Sequence, residues 1–289
     1  MIPEERPFPR RVSIENTNAC NARCTICPRE KLTRKIQLMD LEAFKMLLND
    51  SIEAGARRLS LHNFGEPLLD RHLAEKIAYA KSRGIEETYI VTNASLLTRE
   101  RSEELLEAGL DRVKISFYGI NQKEYESVHV GLDYETTLRN VRDLLEVKRK
   151  RGGKKPGITL RYIGSPVNFL RFSKEWIKYR KLCRTVPGKL HNYTTGREYN
   201  PVSKVRRPDF MKSCRYLKRS VVYILVNGDV VPCCYDFNGV LVMGNALEEK
   251  IADIWNGEKF RAFRRAHKEH HFAKYPICAR CDKLNYILI

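Results

Sequence analysis

The sequence has 289 residues, of which 43% are hydrophobic, and 53 Lys and Arg residues against 35 Asp and Glu residues give a formal net charge of +18. The length predicts a globular protein with one large domain and a smaller one. No run of about 18 apolar residues occurs, and the opening MIPEERPFPR lacks the apolar core of a signal peptide. We therefore expect neither a membrane span nor a secreted product, but a cytoplasmic protein.

The positive charge favours an acidic or phosphorylated partner, because it attracts anions over long range. Much of it is local, in the runs KRKRGGKK at 148–155 and KVRRPDFMKSCRYLKR at 204–219. Either run can also be a solvated basic face without a partner.

Strand and helix patterns alternate from the start of the chain. RVSIEN at 11–16 is typical of a strand, and Asp40 is a candidate N-cap for a helix that ends before Gly55. RRLSLHNFG at 57–65 predicts the next strand, and the helix after it ends at Gly84.

The alternation continues with strands at 87–93, 112–119 and 157–164. Helices are predicted at 98–109, between residue 119 and about Arg151, and at 169–183. In the last helix, Phe169, Leu170, Phe172, Trp176 and Ile177 fall mostly at helical spacing and predict a stripe that faces the core. This order predicts βα units around a parallel sheet, either open or closed into a barrel.

The pattern changes after about residue 200. SVVYILVNGDVVPCC at 220–234 predicts two strands joined by a turn at Asn227-Gly228, and GVLVMGN at 239–245 is a candidate strand. A helix is predicted over 247–271, with an interruption at Asn256-Gly257. This tail contains five of the nine cysteines, and a small, loop-rich unit of this kind needs a metal centre to stabilise it.

Cys20, Cys24 and Cys27 directly follow the first strand, where parallel βα sheets place their active sites. An odd number of cysteines in a cytoplasmic protein favours metal ligation over disulfides, and thiolates favour zinc or an iron–sulfur cluster. Three ligands leave one coordination position open, which indicates a reactive centre. The alternative is a zinc site completed from a distance, for example by His62 or Cys183.

The motif CNARCTICPR resembles the signature of the radical S-adenosylmethionine (SAM) enzymes, except that Ile26 stands at a position that is usually aromatic. The resemblance implies that the three cysteines hold a [4Fe-4S] cluster whose fourth iron binds SAM. It also implies a partial (β/α)6 TIM-like barrel, here residues 1–200.

The same resemblance implies SAM contacts at the ends of successive strands. Glu66 of NFGEPL corresponds to the acidic residue that accepts hydrogen bonds from the SAM amino group. Asn93 and Ser116 are candidates for ribose contacts, Arg161 for the carboxylate and Ile163 for adenine packing.

The second group of cysteines resembles the SPASM auxiliary-cluster domain in its shortened form, the twitch domain. The resemblance implies a small C-terminal α+β domain at 201–289 with one auxiliary [4Fe-4S] cluster, ligated by Cys214, Cys233, Cys278 and Cys281. A four-cysteine zinc ribbon is the alternative. Cys183 and Cys234 have no assigned role, and exchange of Cys234 for Cys233 would leave the number of clusters unchanged.

The resemblance implies that a 5′-deoxyadenosyl radical abstracts hydrogen from a small polar substrate similar to a sugar or cyclitol, and the basic charge of the chain favours an anionic one. We expect a net oxidation, with the auxiliary cluster as electron acceptor and flavodoxin or ferredoxin as a source of electrons. A general base is also expected, with Asp236 as the first candidate and His62, Tyr118 and His191 as others.

Two alternative functions stay open at this stage. One is a radical SAM enzyme that modifies peptides or proteins. The other is a zinc protein that binds nucleic acid through its basic runs, but the apolar stripe at 169–177 favours core packing over base stacking, so nucleic acid is not the expected partner.

Overall fold

The computed structural model describes residues 6–193, 204–208, 210, 212, 214, 217–218 and 221–288. The predicted boundary between residues 200 and 201 lies outside these residues. Up to residue 187, the strands and longer helices are β1 Arg11–Ile14, α1 Leu41–Ala54, β2 Arg58–Ser60, α2 Leu73–Ser82, β3 Glu87–Thr92, α3 Arg99–Glu107, β4 Arg112–Ser116, α4 Gln122–Val128, α5 Tyr134–Arg151, β5 Gly157–Tyr162, α6 Pro166–Glu175 and β6 Cys183–Pro187.

The helix ends follow local chemistry that the sequence shows. Asp40 accepts hydrogen bonds from the backbone N–H groups of Glu42 and Ala43, and so caps α1 as predicted. Gly84, two residues after α2, adopts a φ of 84°, which glycine reaches without steric cost.

Strands β1 to β6 pair in chain order, and every pair is parallel. Residues that face each other in the register point to the same side of the sheet. The carboxyl ends of β1 to β6 therefore lie along one edge, where the predicted site residues are located. The parallel sheet of an α/β barrel is confirmed.

After residue 203 the described elements are β7 Lys204–Arg206, β8 Val221–Ile224, β9 Asp229–Val231, β10 Gly244–Asn245, α7 Ile251–Asn256, α8 Glu258–Lys268, α9 Pro276–Ala279, α10 Asp282–Asn285 and β11 Tyr286–Leu288. The predicted hairpin is present between β8 and β9, and Gly228 in its turn has a φ of 87°. The interruption at Asn256-Gly257 also separates α7 from α8.

One feature of the tail was not predicted. Strand β8 pairs in parallel with β1, from Arg11 opposite Val221 to Ile14 opposite Ile224, so the C-terminal hairpin extends the barrel sheet. Strands β9 and β10 continue the same sheet in antiparallel fashion, while β7 and β11 form a separate pair. The tail is thus joined to the edge of the barrel beside the loop that follows β1.

The predicted helix over 169–183 is wrong in its second half. Helix α6 ends at Glu175, and Cys183 begins β6 instead. Phe172 and Trp176 are buried as predicted, but Leu170 is 62% exposed and Ile177 is 58% exposed. The chain has to turn after α6 to bring β6 alongside β5, which removes Ile177 from the buried face.

Within the described part of the chain, no helix combines the length and the apolar character needed to cross a bilayer.

Candidate active site

The loop after β1 carries Cys20, Cys24 and Cys27, and other backbone segments hold it in place. The N–H of Arg23 donates to the carbonyl of Val130, and the N–H of Thr25 donates to that of Val128, both at 2.9 Å. The loop is thereby paired with the end of α4 and the residues that follow it. All three cysteines are partly exposed.

The three thiols influence one another. Burial, together with the charges of Cys27 and Cys20, raises the pKa of Cys24 to about 12. Burial raises the pKa of Cys27 to about 11 and also raises that of Cys20. Because these pKa values are raised, the three thiols lose their protons only where a cation stabilises the thiolates. An iron–sulfur cluster supplies such a cationic centre. The donor set therefore fits the group that the motif implies.

Glu15, at the start of the same loop, connects it to the C-terminal part of the chain. This buried carboxylate accepts two hydrogen bonds from Arg34, at 2.8 and 3.0 Å, and a third from the N–H of Val226 at 3.0 Å. It also accepts from the N–H of Phe64 at 3.3 Å. One side chain therefore joins the cysteine loop, the turn after β2 and the end of β8.

The turn at Gly65-Glu66 packs directly against the cysteine loop. A Cβ atom at Gly65 would overlap the carbonyl oxygens of Thr17 and Ala19, so glycine is required by close approach of backbone. The N–H of Glu66 donates to the carbonyl of Ala19 at 2.7 Å. The turn and the loop thus fix each other in position.

The carboxylate of Glu66 is buried and accepts three hydrogen bonds, from Thr92 Oγ1 at 2.6 Å, Asn93 N at 2.8 Å and Leu68 N at 3.1 Å. Burial raises its pKa to about 7, although these donors oppose the rise. A carboxylate has about four acceptor positions, so one remains for a ligand such as an ammonium group.

Asn93, at the end of β3, links the same loop to the next turn. Its Nδ2 donates to Asn21 Oδ1 at 2.9 Å, and its Oδ1 accepts from Ser95 Oγ at 2.7 Å. Asn93 and Glu66 both lie beside the cysteine loop. The structure therefore brings these two predicted site residues together.

The other predicted SAM contacts lie at the ends of β4 and β5. Ser116 and Arg161 are register partners, so their side chains point to the same side of the sheet. Ile163 follows β5, and a Cβ at Gly188 would overlap both Ile163 Cγ1 and Arg161 Nε. Ser116, Arg161 and Ile163 therefore lie close together at the carboxyl ends of β4 and β5.

The C-terminal cysteines form another interacting set. Burial, followed by the charges of Cys214 and Cys281, raises the pKa of Cys278. Burial raises the pKa of Cys281 to about 12, and Cys214 contributes to the rise. A hydrogen bond with Cys234 is the largest cause of the raised pKa of Cys233, and burial and the charge of Cys214 raise this pKa further. Four thiols that influence one another in this way fit a saturated iron–sulfur cluster.

The two unassigned cysteines have different surroundings. Cys183 is buried at the start of β6, where burial raises its pKa to about 11. Cys234 lines the main cavity, together with Cys27 of the first set. In the ranges that the structure describes, no three His, Cys, Asp or Glu side chains converge closely enough to hold a single metal ion.

The main cavity lies inside the barrel and has a volume of about 800 Å³. Of the described residues that line it, eight are Arg or Lys and none is Asp or Glu. His62 and Asn63 also line it, and their buried atoms Nδ1 and Nδ2 have no hydrogen-bond partner in the part of the chain that the structure describes. Such atoms are normally satisfied by a ligand or by water.

The structure also places the other three predicted base candidates: His62 and His191 line this cavity, and Tyr118 lies next to His129. His191 lines the cavity, and its Nδ1 lies 3.3 Å from Asp282 Oδ2. Burial lowers the pKa of His62 to about 3, with the charges of Lys114 and Arg11 contributing, which makes it a weak base at neutral pH. Tyr118 stacks on His129 with ring centroids 4.9 Å apart.

Asp236, the first candidate for the base, does not reach the cavity. Its carboxylate accepts the N–H groups of Val240 at 2.8 Å and Leu241 at 2.7 Å, so it closes its own loop. It borders a separate cavity of about 290 Å³. The sequence places it beside Cys233 and Cys234, but the chain turns its side chain away.

Two histidines beside cysteines were missed. His129 Nδ1 lies 3.3 Å from Cys24 Sγ, and His267 Nε2 lies 3.4 Å from Cys278 Sγ. Each set of thiols thus has one histidine at one sulfur. The contacts span 105 and 11 positions in the chain, and no local pattern indicates them.

Comparisons with known proteins agree with this site. Residues 14–168 match the family model of the radical SAM superfamily, and residues 214–282 match that of SPASM, an iron–sulfur cluster-binding domain. The first match covers more than half of the chain. The chain therefore belongs to the radical SAM superfamily.

Individual relatives match over nearly the whole chain. S-adenosyl-L-methionine-dependent 2-deoxy-scyllo-inosamine dehydrogenase of Niallia circulans is 28% identical over 281 residues, which is 95% of this chain and 93% of that protein. A tungsten-containing aldehyde ferredoxin oxidoreductase cofactor-modifying protein of Pyrococcus furiosus is 23% identical, covering 93% of this chain and 86% of its own.

Two solved structures share the fold. The crystal structure of BtrN in complex with AdoMet and 2-DOIA has a TM-score of 0.65 at 24% identity and covers 96% of this chain and 94% of its own. Streptococcus suis SuiB bound to precursor peptide SuiA has a TM-score of 0.72 at 16% identity, with coverages of 96% and 70%.

Family membership decides several of the predictions. The chain is a radical SAM enzyme that uses SAM and carries two iron–sulfur clusters. The alternative of a zinc protein that binds nucleic acid is overturned by the same matches. The residues that hold each cofactor remain assignments from the sequence and the geometry above.

Proposed function

We propose that this enzyme is an oxidoreductase that removes hydrogen from a small polar substrate bound inside the barrel. Cys20, Cys24 and Cys27 would hold the SAM-binding cluster, and Cys214, Cys233, Cys278 and Cys281 would hold the auxiliary cluster. With SAM bound, the first cluster would supply a 5′-deoxyadenosyl radical that takes a hydrogen atom from the substrate, and the auxiliary cluster would accept a second electron.

The observation that carries this proposal is the shared cavity. Cys27 of the first thiol set and Cys234, next to Cys233 of the second, line the same space of about 800 Å³. A substrate in this cavity lies between the two sets. The volume suits a ring of sugar or cyclitol size and falls in the range of small-molecule sites.

Oxidation of an alcohol carbon releases a proton as well as electrons, and His191 is placed to accept it. If Asp282 accepts the Nδ1 hydrogen at 3.3 Å, the lone pair of the ring is on Nε2. His191 faces the cavity, whereas Asp236 does not. We therefore assign the proton transfer to His191 in place of Asp236.

Residues of the site also have roles in binding. Glu66 would accept a hydrogen bond from the SAM amino group, and Asn93 would orient the cofactor beside the cysteine loop. Ser116 would contact the ribose, Arg161 the carboxylate and Ile163 the adenine. A one-electron donor such as flavodoxin or ferredoxin would supply the electron that begins each turnover.

The relative from Niallia circulans bears the name of a cyclitol dehydrogenase, which supports a polyhydroxylated ring as substrate. The cationic lining of the cavity favours an anionic ring over an amine. Modification of a peptide is the other outcome to be tested, since SuiB with its precursor peptide shares the fold.

The test is an anaerobic incubation with SAM, a reductant and a panel of deuterated polyols, sugar phosphates and peptides. Transfer of deuterium to 5′-deoxyadenosine, with a product two hydrogens lighter, supports the proposal. The His191→Phe variant should still cleave SAM but form product about 100-fold more slowly. Deuterium transfer from peptides alone would contradict a small-molecule substrate.

A further inference from the structure

The first observation is a row of side chains across three neighbouring strands. Lys114 on β4 faces Thr159 on β5, and Thr159 faces Arg184 on β6 in the parallel register. Register partners point to the same side of a sheet, and both Lys114 and Arg184 line the main cavity. Arg184 Nε donates to Thr159 Oγ1 at 3.0 Å.

The second observation is the charge around this row. Among the residues that the structure describes, the cavity lining contains eight Arg or Lys residues and no carboxylate. Glu87 pairs with Arg11 and Arg112 where their strands begin, and Glu86 pairs with Arg10. A cleft whose described lining has charges of only one sign attracts anions and raises their local concentration.

The third observation is the position of the row relative to the candidate SAM contacts. Lys114 and Thr159 stand two residues before Ser116 and Arg161 on the same strands. At about 3.3 Å per residue, this places the row about 7 Å deeper in the barrel. A sugar or cyclitol ring spans a distance of this order.

On the basis of the proposed function, we propose that Lys114 and Arg184 bind an anionic substituent of the substrate, a phosphate or a carboxylate, and that Thr159 orients Arg184. Lys114 supplies a point charge, and the guanidinium of Arg184 supplies paired N–H donors. The hydrogen bond from Arg184 Nε to Thr159 Oγ1 fixes the direction of the guanidinium. The reacting carbon then faces the cysteine loop.

Binding measurements on the anaerobically purified holoenzyme with SAM test this proposal. The probes are glucose 6-phosphate, glucuronate, glucose and glucosamine, measured by calorimetry at two salt concentrations. We expect the two anions to bind at least tenfold more tightly than glucose and glucosamine, with a preference that falls as salt rises. The stronger of the two anions identifies phosphate or carboxylate as the group.

Variants locate the site. Lys114→Gln and Arg184→Gln should each weaken binding of the preferred anion at least tenfold, whereas Lys45→Gln on the surface of α1 should leave it unchanged. Tighter binding of glucosamine, or full affinity in both variants, would overturn the inference. SAM cleavage in the same samples tests the proposed function separately, because an enzyme that cleaves SAM but ignores anions contradicts only this inference.

An independent observation concerns His129. The N–H of Tyr118 donates to His129 Nε2 at 3.3 Å, so this nitrogen carries the lone pair and the ring hydrogen is on Nδ1. Nδ1 lies 3.3 Å from Cys24 Sγ. The geometry points to His129 as a positioning residue that donates a hydrogen bond to this sulfur.

Hydrogen bonds to a ligand sulfur stabilise the reduced, more negative state of a cluster, and so raise its reduction potential. We expect His129→Phe to make the midpoint potential of the N-terminal cluster more negative in a redox titration followed by electron paramagnetic resonance. His129→Asn, which can still donate, should shift it less, and His72→Phe at an exposed position should not shift it. Equal midpoint potentials in the wild type and His129→Phe, or loss of iron in both His129 variants, would contradict this role.

Discussion

The buried ion pair of Lys76 and Asp70 gives a stability prediction that can be worked out from the structure. Lys76 is 0% exposed and donates to Asp70 Oδ2 at 2.7 Å and to the carbonyl of Met39 at 2.6 Å. Asp70 also accepts from Asn16, near the start of the cysteine loop, at 3.3 Å. Lys76→Met keeps an apolar stem of similar length but leaves a buried carboxylate without its cation.

Loss of one partner of a buried pair costs about 3–5 kcal/mol. In a chain of this size, each kcal/mol of lost stability lowers Tm by about 2 °C, so Tm should fall by about 6–10 °C. Thermal unfolding of anaerobically purified protein, followed by circular dichroism, measures this fall. The change should also loosen the end of β1 and so favour loss of iron from the N-terminal site on heating.

The matched control is Lys45→Met, which removes a surface pair with Glu42 on α1. An exposed pair of this kind contributes about 0–1 kcal/mol, so Tm should change by about 2 °C or less. The double variant Lys76→Met/Asp70→Leu should recover part of the loss, because no buried charge remains. Equal Tm values for Lys76→Met and Lys45→Met would refute the reasoning.

The other predictions concern the cysteine sets and the turn that supports the first of them. Cys278→Ala should lower the iron content from about eight to about four atoms per chain and abolish substrate oxidation while SAM cleavage continues. The control, Cys183→Ala, should keep all the iron. Equal iron contents in the two variants would contradict the assignment of Cys278 to the auxiliary cluster. Gly65→Ala should displace the cysteine loop and lose the N-terminal cluster, seen as a loss of visible absorbance. Retention of full absorbance and SAM binding by Gly65→Ala would show that the close backbone approach is not needed.

Much of the fold could be predicted because its signals are local. The Asp40 cap, the glycine after α2 and the turn at Gly228 depend on a few neighbouring residues, and each is present in the structure. The parallel order of β1 to β6 follows from the alternation of strands and helices. The pairing of β8 with β1 could not be inferred, because it joins segments about 210 positions apart.

The candidate site likewise has a part that the sequence predicts and a part that it does not. The cysteine spacings and the turn at Glu66 are sequence patterns, so their positions were predicted in order along the chain. The direction of a side chain in a loop is set by tertiary contacts, so the sequence could name Asp236 as a candidate base but could not show that its carboxylate caps its own loop. His129 and the row from Lys114 to Arg184 are produced by the folded chain and have no local signature.

The most direct test of the central claim is the formation of 5′-deoxyadenosine from SAM. Anaerobic protein with both clusters is mixed with SAM and dithionite, and 5′-deoxyadenosine and methionine are quantified by chromatography. The account predicts that the wild type forms both products, and that Cys24→Ala forms neither. Failure of fully iron-loaded wild type to cleave SAM, or equal cleavage by Cys24→Ala, would contradict it.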